Sequence, residues 1–247
     1  MNGIGLMHLK GIIENGLPKN NSLLFLFLMM YLIDINITAL IQSYATELYE
    51  YNAGIFETDG FFVRPKFSKL HVLICGPNEN ITDKELVHLP YLTTLDCGWN
   101  KNFTDEGLAH LPHLTTLVCG YNSNLTDEGL ASLPHLTSLH CNYNQNFTDE
   151  GLACIPNLTT LACGNSNFTD AGLAYIPNLT TLKCDSNNNI TNKGVIHLLH
   201  LTYLEYGFNI NLRCAGLDHI TQITDFPPHF QSSGRMIKML KLFFQSF

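Results

Sequence analysis

From residue 70 onward the apolar positions of this 247-residue chain recur at a fixed distance. Starting at Leu92 the chain reads LTTLDCGWNKNFTDEGLAHLPH, at Leu114 LTTLVCGYNSNLTDEGLASLPH and at Leu136 LTSLHCNYNQNFTDEGLACIPN. A copy from Leu158 is one residue shorter, and one from Leu179 returns to 22 residues. Degraded copies begin at Leu70 and Leu201, so seven copies cover residues 70 to about 220. Each copy predicts two elements. Leu95 and Cys97, two apart, share one face of a short strand. Asn100 follows where the chain turns, a place where its amide can bond neighbouring backbone. Its equivalents Asn78, Asn122, Asn144, Asn187 and Asn209 form a column. Thr104 is placed to cap a helix, with Asp105 and Glu106 favourable at its N-terminus. Leu108 and Leu111, three apart, give that helix an inward stripe, and Pro112 is expected to end it. One copy cannot bury its own leucines, so the copies must stack into a continuous core. Parallel strands about 4.8 Å apart give seven copies a length of roughly 30 Å.

The opening of each copy, L-x-x-L-x-C-x-x-N, resembles the leucine-rich repeat, with cysteine in place of the third leucine. The T-D-E-G-L-A-x-L-P half resembles short repeats of some bacteria and of giant viruses of amoebae. The resemblance implies an α/β solenoid: a curved stack of parallel strands with short helices or 3-10 turns on the convex side. It also implies a non-enzymatic scaffold that binds a protein partner on the concave strand face. In that family the binding residues are the outward strand positions. Two residues after each opening leucine these are Val72, Thr94, Thr116, Ser138, Thr160, Thr181 and Tyr203. Four residues after it they are Ile74, Asp96, Val118, His140, Ala162, Lys183 and Glu205. The second set varies in size and charge while the buried columns hardly vary, as a recognition surface should. Trp99, Tyr121 and Tyr143 run beside it, with Phe208 farther along, and clustered Trp and Tyr are enriched at binding hot spots. Covering the strand-to-loop corner is the alternative role for these rings. The expected partner-binding residues are Thr94, Asp96, Trp99, Val118, Tyr121, His140, Tyr143, Lys183 and Glu205.

Composition sharpens this picture. Apolar residues make up 45% and charged ones only 14%, against roughly 25% charged in an average globular chain. A disordered chain would show the reverse balance. Asparagine, present 25 times, replaces ions as the polar component. A net charge of −8 excludes phosphate-driven nucleic-acid binding. Cys75, Cys97, Cys119, Cys141, Cys163 and Cys184 occupy one column, which Tyr206 ends. Neighbours about 5 Å apart fall within disulfide range, but side chains on in-register parallel strands point the same way. No C-x-x-C pair suggests zinc, and free cysteine behaves as a small buried hydrophobe. The expectation is a column of reduced thiols in an intracellular, cytoplasmic setting. For a viral source that would be the host cytoplasm.

Asn80, Asn102, Asn124, Asn146, Asn167 and Asn189 each begin N-x-[ST], a glycosylation ladder if read literally. The repeat itself explains them: a polar turn, an inward apolar residue, then a capping threonine. The histidines also follow the repeat, with His88, His110 and His197 in one column and His113, His135 and His200 in another. Gly3-Ile4-Gly5 is too little for a dinucleotide fingerprint, and the chain holds no H-E-x-x-H, G-x-S-x-G or P-loop. No catalytic activity, cofactor or metal is expected.

Residues 1–69 lie outside the repeat and are expected to be a helical N-terminal region. Leu23 to Ile33 are eleven apolar residues, fewer than the roughly 18 of a membrane span, and suit a buried helix or a signal core. Leu17-Pro18, Tyr31-Leu32 and the stretch ITALIQSYATELYEY resemble the progression of an F-box, a three-helix hook for the adaptor of a ubiquitin ligase. Lys19-Asn20-Asn21 stand where that family carries acidic residues. A cap over the open solenoid end is the alternative, and an exported or surface protein is a third reading. Residues 221–247, including the basic and apolar stretch Arg235 to Phe247, are expected to be a tail or cap, with a partner helix or membrane-surface segment as alternatives.

Overall fold

Each copy of the repeat supplies one three-residue strand, too short to stand alone, and the stack supplies its neighbours. The computed structural model describes residues 70–76, 81–213, 217 and 220–224, together with the strand 47–49. The strands are β1 (Glu47–Tyr49), β2 (Val72–Ile74), β3 (Thr94–Asp96), β4 (Thr116–Val118), β5 (Ser138–His140), β6 (Thr160–Ala162), β7 (Thr181–Lys183), β8 (Tyr203–Glu205) and β9 (Gln222–Thr224). They form one parallel sheet in chain order. Leu73 lies opposite Leu95, then Leu117, Leu139, Leu161, Leu182 and Leu204, without slippage. Between strands lie short helices: α1 (Asp83–Leu86), α2 (Asp105–Leu108), α3 (Asp127–Ala131), α4 (Asp149–Ala153), α5 (Asp170–Leu173) and α6 (Asn192–Val195). Strands on one side and helices on the other enclose a single file of leucines, with Phe103, Phe147 and Phe168 fully buried among them. The expected solenoid is therefore the observed one.

The sheet extends past the repeat at both ends. β1 pairs with β2, and β9 pairs with β8. Glu47–Tyr49 belong to the segment read as helical and F-box-like, and there the chain is strand instead. An open parallel sheet exposes a row of unpaired backbone groups on its first strand, and β1 covers it. The rest of the F-box-like segment and the apolar run Leu23–Ile33 lie outside the described residues, as does Arg235–Phe247. Among the described residues no helix is long and apolar enough to cross a membrane.

Three polar columns tie each copy to the next. Threonines at the strand entrance form the first: Thr115 Oγ1 donates to the Thr93 carbonyl at 3.0 Å, and Thr137, Thr159, Thr180 and Thr202 repeat the bond. The asparagine column is the second, and it is buried. Asn122 Nδ2 donates to the Asn100 and Phe103 carbonyls of the preceding copy at 2.7 and 3.2 Å. Its Oδ1 accepts the Asn124 amide at 2.8 Å. Asn144 and Asn209 do the same. In the shortened copy Ser166 stands in, its hydroxyl accepting from Asn187 Nδ2 at 3.2 Å. The sequon asparagines are also used structurally: Asn124 and Asn167 donate their side-chain amides to carbonyls of the preceding copy at 2.5 Å.

The third column changes the reading of the helix start. Asp105 Oδ1 accepts the Thr126 backbone amide at 2.9 Å, and Oδ2 accepts its hydroxyl at 2.6 Å. Asp83–Thr104, Asp127–Thr148, Asp149–Thr169 and Asp170–Thr191 are the same clamp. Thr126, Thr148, Thr169 and Thr191 cap their helices as expected, each hydroxyl accepting the amide two residues on while donating to the clamp. Thr104 stands at the same N-cap position and donates to Asp83 without a side-chain cap bond. Pro112 does not end α2. The helix closes at Ala109, and Leu111 and Pro112 belong to the turn that follows, with Leu111 buried by its own return toward the core. The glycine of α2 through α6 is explained by the clamp, since a Cβ on Gly129 would stand 2.3 Å from Asp105 Oδ1.

The cysteine column is fully buried and free of disulfides, while Cys154, outside it, is exposed. Burial pushes the Cys163 thiol up to about 12 from an ordinary 9.0. Burial first, then neighbouring thiols and carboxylates, raises Cys97, Cys119, Cys141 and Cys184 as well.

Two outcomes follow from these columns. Gly→Ala inside a helix ordinarily gains roughly 0.5–1 kcal/mol. Gly129→Ala is expected instead to cost about 1–3 kcal/mol in urea unfolding, because a held carboxylate must move. In an Asp105→Ala background most of that cost should vanish, leaving only the 3.1 Å approach to Leu108 Cδ1. The raised thiols stay protonated in the fold while the unfolded chain ionises from pH 9 upward. Stability is therefore complete below pH 9 and falls as pH rises toward the folded values. Each such thiol contributes a slope of about 1.4 kcal/mol per pH unit. Alkylation of the native protein at pH 8 should modify Cys154 and spare the column, as peptide mass spectrometry would read.

Candidate functional site

Register places the outward strand positions in rows across the sheet. Thr94, Asp96, Val118, His140 and Lys183 are half-buried on this face. Glu205 differs from the open position expected of it, being 5% exposed. Its carboxylate is 3.2 Å from Lys183 Nζ and accepts the Tyr203 hydroxyl at 3.0 Å. Lys183 also lies 5.6 Å from the Tyr203 ring centre. Three neighbouring side chains thus satisfy one another and draw Glu205 down. Ala162 between His140 and Lys183 is buried too.

The aromatic file is a true stack. Trp99 and Tyr121 lie with ring centres 3.7 Å apart and planes 14° from parallel, and Tyr121 and Tyr143 follow at 4.3 Å and 15°. Trp99 and Tyr143 are nonetheless exposed, at 59% and 47%. All three have left-handed backbone, with φ of 70°, 63° and 63°. Bulky side chains rarely adopt that conformation, which costs roughly 1–2 kcal/mol per residue. The backbone of the next copy holds it: Trp99 N–H donates to the Gly120 carbonyl at 2.9 Å, and Tyr121 N–H to that of Asn142 at 3.0 Å. Asn165 and Ser186 occupy the next positions of the column, also at positive φ, and separate Phe208 from the stack. Ring stacking returns about 0.5–1.5 kcal/mol per pair. The left-handed backbone is common to the column, but packing does not require that aromatic side chains stand exposed on it.

The stack forms one wall of a groove of about 270 Å³, whose lining includes Ile74, Gly76, Asp96, Gly98, Trp99, Val118, Gly120, Tyr121, His140 and Asn142. Five of the expected residues meet here: Asp96, Trp99, Val118, Tyr121 and His140. Thr94 and Tyr143 are not part of the lining, and Lys183 and Glu205 form the separate pair on β7 and β8. Gly76, Gly98 and Gly120 were not singled out by sequence reasoning. Their signal was the glycine that directly follows four of the six column cysteines. A Cβ on Gly120 would lie 3.1 Å from the Asn142 carbonyl, so the close approach of copies leaves no side chain there and the groove floor is backbone.

Electrostatics grade the groove from end to end. Asp96 Oδ1 accepts the Gly98 amide at 3.2 Å, which holds the carboxylate against the wall. Burial and then Lys183 lower the His140 pKa, with Asp96 acting against them, so this imidazole is neutral at pH 7. Burial and the Tyr143 hydroxyl raise the Tyr121 phenol. Among the described residues no group of His, Cys, Asp and Glu is arranged to hold a metal ion. The histidines of both repeat columns are exposed and apart from the groove.

The family model "Leucine Rich repeat" matches residues 88–109 and 132–155. Among solved structures, an internalin C2 from Listeria monocytogenes is 27% identical, covering 75% of this chain and 83% of that one with a TM-score of 0.58. The functional domain of InlJ from the same organism, described as including a cysteine ladder, is 26% identical. That match covers 76% of this chain and 41% of that one, with a TM-score of 0.53. An internalin InlF from Listeria monocytogenes shares the fold at 19% identity and a TM-score of 0.54, over 78% of this chain and 64% of that one. No curated protein sequence matches, and neither the viral nor the F-box resemblance finds a counterpart in these matches. A parallel solenoid with an inward leucine file, a cysteine column and a buried asparagine column is what these matches point to: the chain folds as a leucine-rich-repeat solenoid and carries segments similar to the leucine-rich repeat.

Proposed function

We propose that this protein is a non-enzymatic scaffold that holds a protein partner against its strand face, at the groove between β2 and β5. One observation carries the reading: three stacked aromatic side chains are kept exposed on left-handed backbone beside a row of varied outward residues. The rest of each copy is repeated with little change, so selection for packing accounts for the columns and not for this row. Aromatic side chains supply large contact area at low entropic cost, which is why they anchor interfaces. Leucine-rich-repeat proteins serve as interaction scaffolds, and the groove, being shallow and floored by backbone, suits a protein segment. Among the described residues no nucleophile–base pair lines it. Asp96 and His140 are the titratable side chains of its strands, and they stand two strands apart.

Asparagine already occupies the same backbone position at Asn165, so Trp99→Asn, Tyr121→Asn and Tyr143→Asn together should leave the fold intact. Affinity capture from the native cell with the full chain, the triple variant and a back-face variant (Tyr91→Ala with Tyr175→Ala) tests the placement. A partner bound by the native chain is expected to fall roughly tenfold or more with the triple variant. The back-face variant should bind normally. Equal capture by the native chain and the triple variant would overturn the placement.

A further inference from the structure

One backbone N–H of the groove floor, that of the residue directly after each column cysteine, finds its acceptor in different ways from copy to copy. In the second copy the Gly98 N–H donates to Asp96 Oδ1, two residues before it, at 3.2 Å. In the fifth the Gly164 N–H donates at 2.6 Å to Asn142 Oδ1, which stands at the equivalent position of the copy before. A side-chain oxygen therefore completes this N–H from one of two places. In the third copy neither place holds an acceptor: Val118 stands where Asp96 does, and Gly98 stands where Asn142 does. The Gly120 N–H, on half-buried backbone that lines the groove, meets no acceptor among the described residues. A backbone N–H is an obligatory donor, so the groove presents one unmet demand for an oxygen.

Asn142 shows what meets that demand, a side-chain carboxamide whose oxygen takes the N–H of the next copy. Asp96 sets the charge of the ligand. A Cβ built at Gly98, the place from which such a carboxamide would reach Gly120, stands 3.5 Å from Asp96 Oδ1 and 3.7 Å from the Gly120 carbonyl. A carboxylate brought there would be repelled by Asp96. A primary carboxamide is neutral, and it carries an acceptor for the N–H and donors for the carboxylate on one planar group. We propose that the groove floor at Gly120 takes a primary carboxamide, the side chain of an asparagine or glutamine of the protein partner. The inference rests on the strand-face reading and names the chemistry of one contact within it. The carboxamide oxygen accepts the Gly120 N–H and its NH2 group turns toward Asp96, with Val118 and Tyr121 of the same copy lining the groove beside it.

The amide resonance of Gly120, in the full-length chain labelled with the heavy nitrogen isotope, reports the contact directly. The probes are the peptide Ac-Gly-Gln-Gly-N-methylamide and the same peptide with glutamate in place of glutamine. The glutamine peptide should move the Gly120 resonance saturably, and the glutamate peptide should bind roughly tenfold more weakly or worse. Gly98→Asn supplies the carboxamide from the chain itself, at a position without left-handed backbone. It should slow deuterium exchange of the Gly120 amide roughly tenfold or more, whereas Gly98→Ala should leave that exchange as in the native chain. The same Gly98→Asn chain should no longer respond to the glutamine peptide, and its capture of the partner should fall roughly tenfold. Equal response to the two peptides, or no saturable shift up to about 20 mM glutamine peptide, would overturn the slot. Both of these use the native chain, so they decide the matter even where the variant does not fold. If Gly98→Asn captures the partner undiminished while the triple aromatic variant loses it, the slot is overturned and the strand-face reading stands. Undiminished capture by both variants overturns the two together.

Discussion

The buried amide of Asn122 sets the alignment on which the rest of the structure depends. It donates to two carbonyls of the copy before it and accepts an amide of its own turn. The side-chain amide and the two carbonyls it serves are shut away from water, and leaving one unpaired would cost about 1–3 kcal/mol. Sliding a copy by a single residue would strand every one of them and turn the leucines outward. The Asp–Thr clamp does the same on the helix side, and the threonine column does it at the strand entrance. Leucines provide the driving force for stacking, but they are indifferent to small shifts. The directional bonds give the stack its register.

Register is also what makes a surface out of single residues. An outward side chain on a three-residue strand has no neighbours of its own, and gains them only when copies align. Trp99, Tyr121 and Tyr143 are 22 residues apart in sequence and in ring contact in space. The same alignment brings Lys183, Tyr203 and Glu205 together and places Asp96 and His140 on one groove. The scaffold therefore separates two jobs. Inward and turn positions repeat because the neighbouring copy dictates them, and outward positions are free to encode a partner.

The leucine, cysteine and asparagine columns were legible in the sequence because each is a local demand met in six or all seven of the copies. Strand and helix placement followed from them. Interactions between copies were not legible in the same way. Thr104 reads as a helix cap within its own copy, and its hydroxyl goes to Asp83, 21 residues earlier. Pro112 reads as a helix terminator, yet the helix has already closed. Glu205 reads as an exposed charge, since nothing along the strand reveals that Lys183 and Tyr203 will satisfy it. Gly120 carried a signal in its column, but its effect appears only when the next copy's backbone is set beside it. At the N-terminal end, Glu47–Tyr49 read as helix and form a strand, because the unpaired edge of β2 decides the matter rather than local propensity.

One measurement separates a recognition face from decorated packing. A photo-reactive phenylalanine analogue placed at Tyr143 substitutes one exposed ring for another on the strand face. The same analogue at Tyr175, half exposed beyond α5, samples the opposite side. Irradiated in the native cell, the residue-143 protein should cross-link to a discrete partner and the residue-175 protein should not. Cross-linking from 175 with none from 143 would contradict the assignment of the strand face and move the interaction to the back of the solenoid.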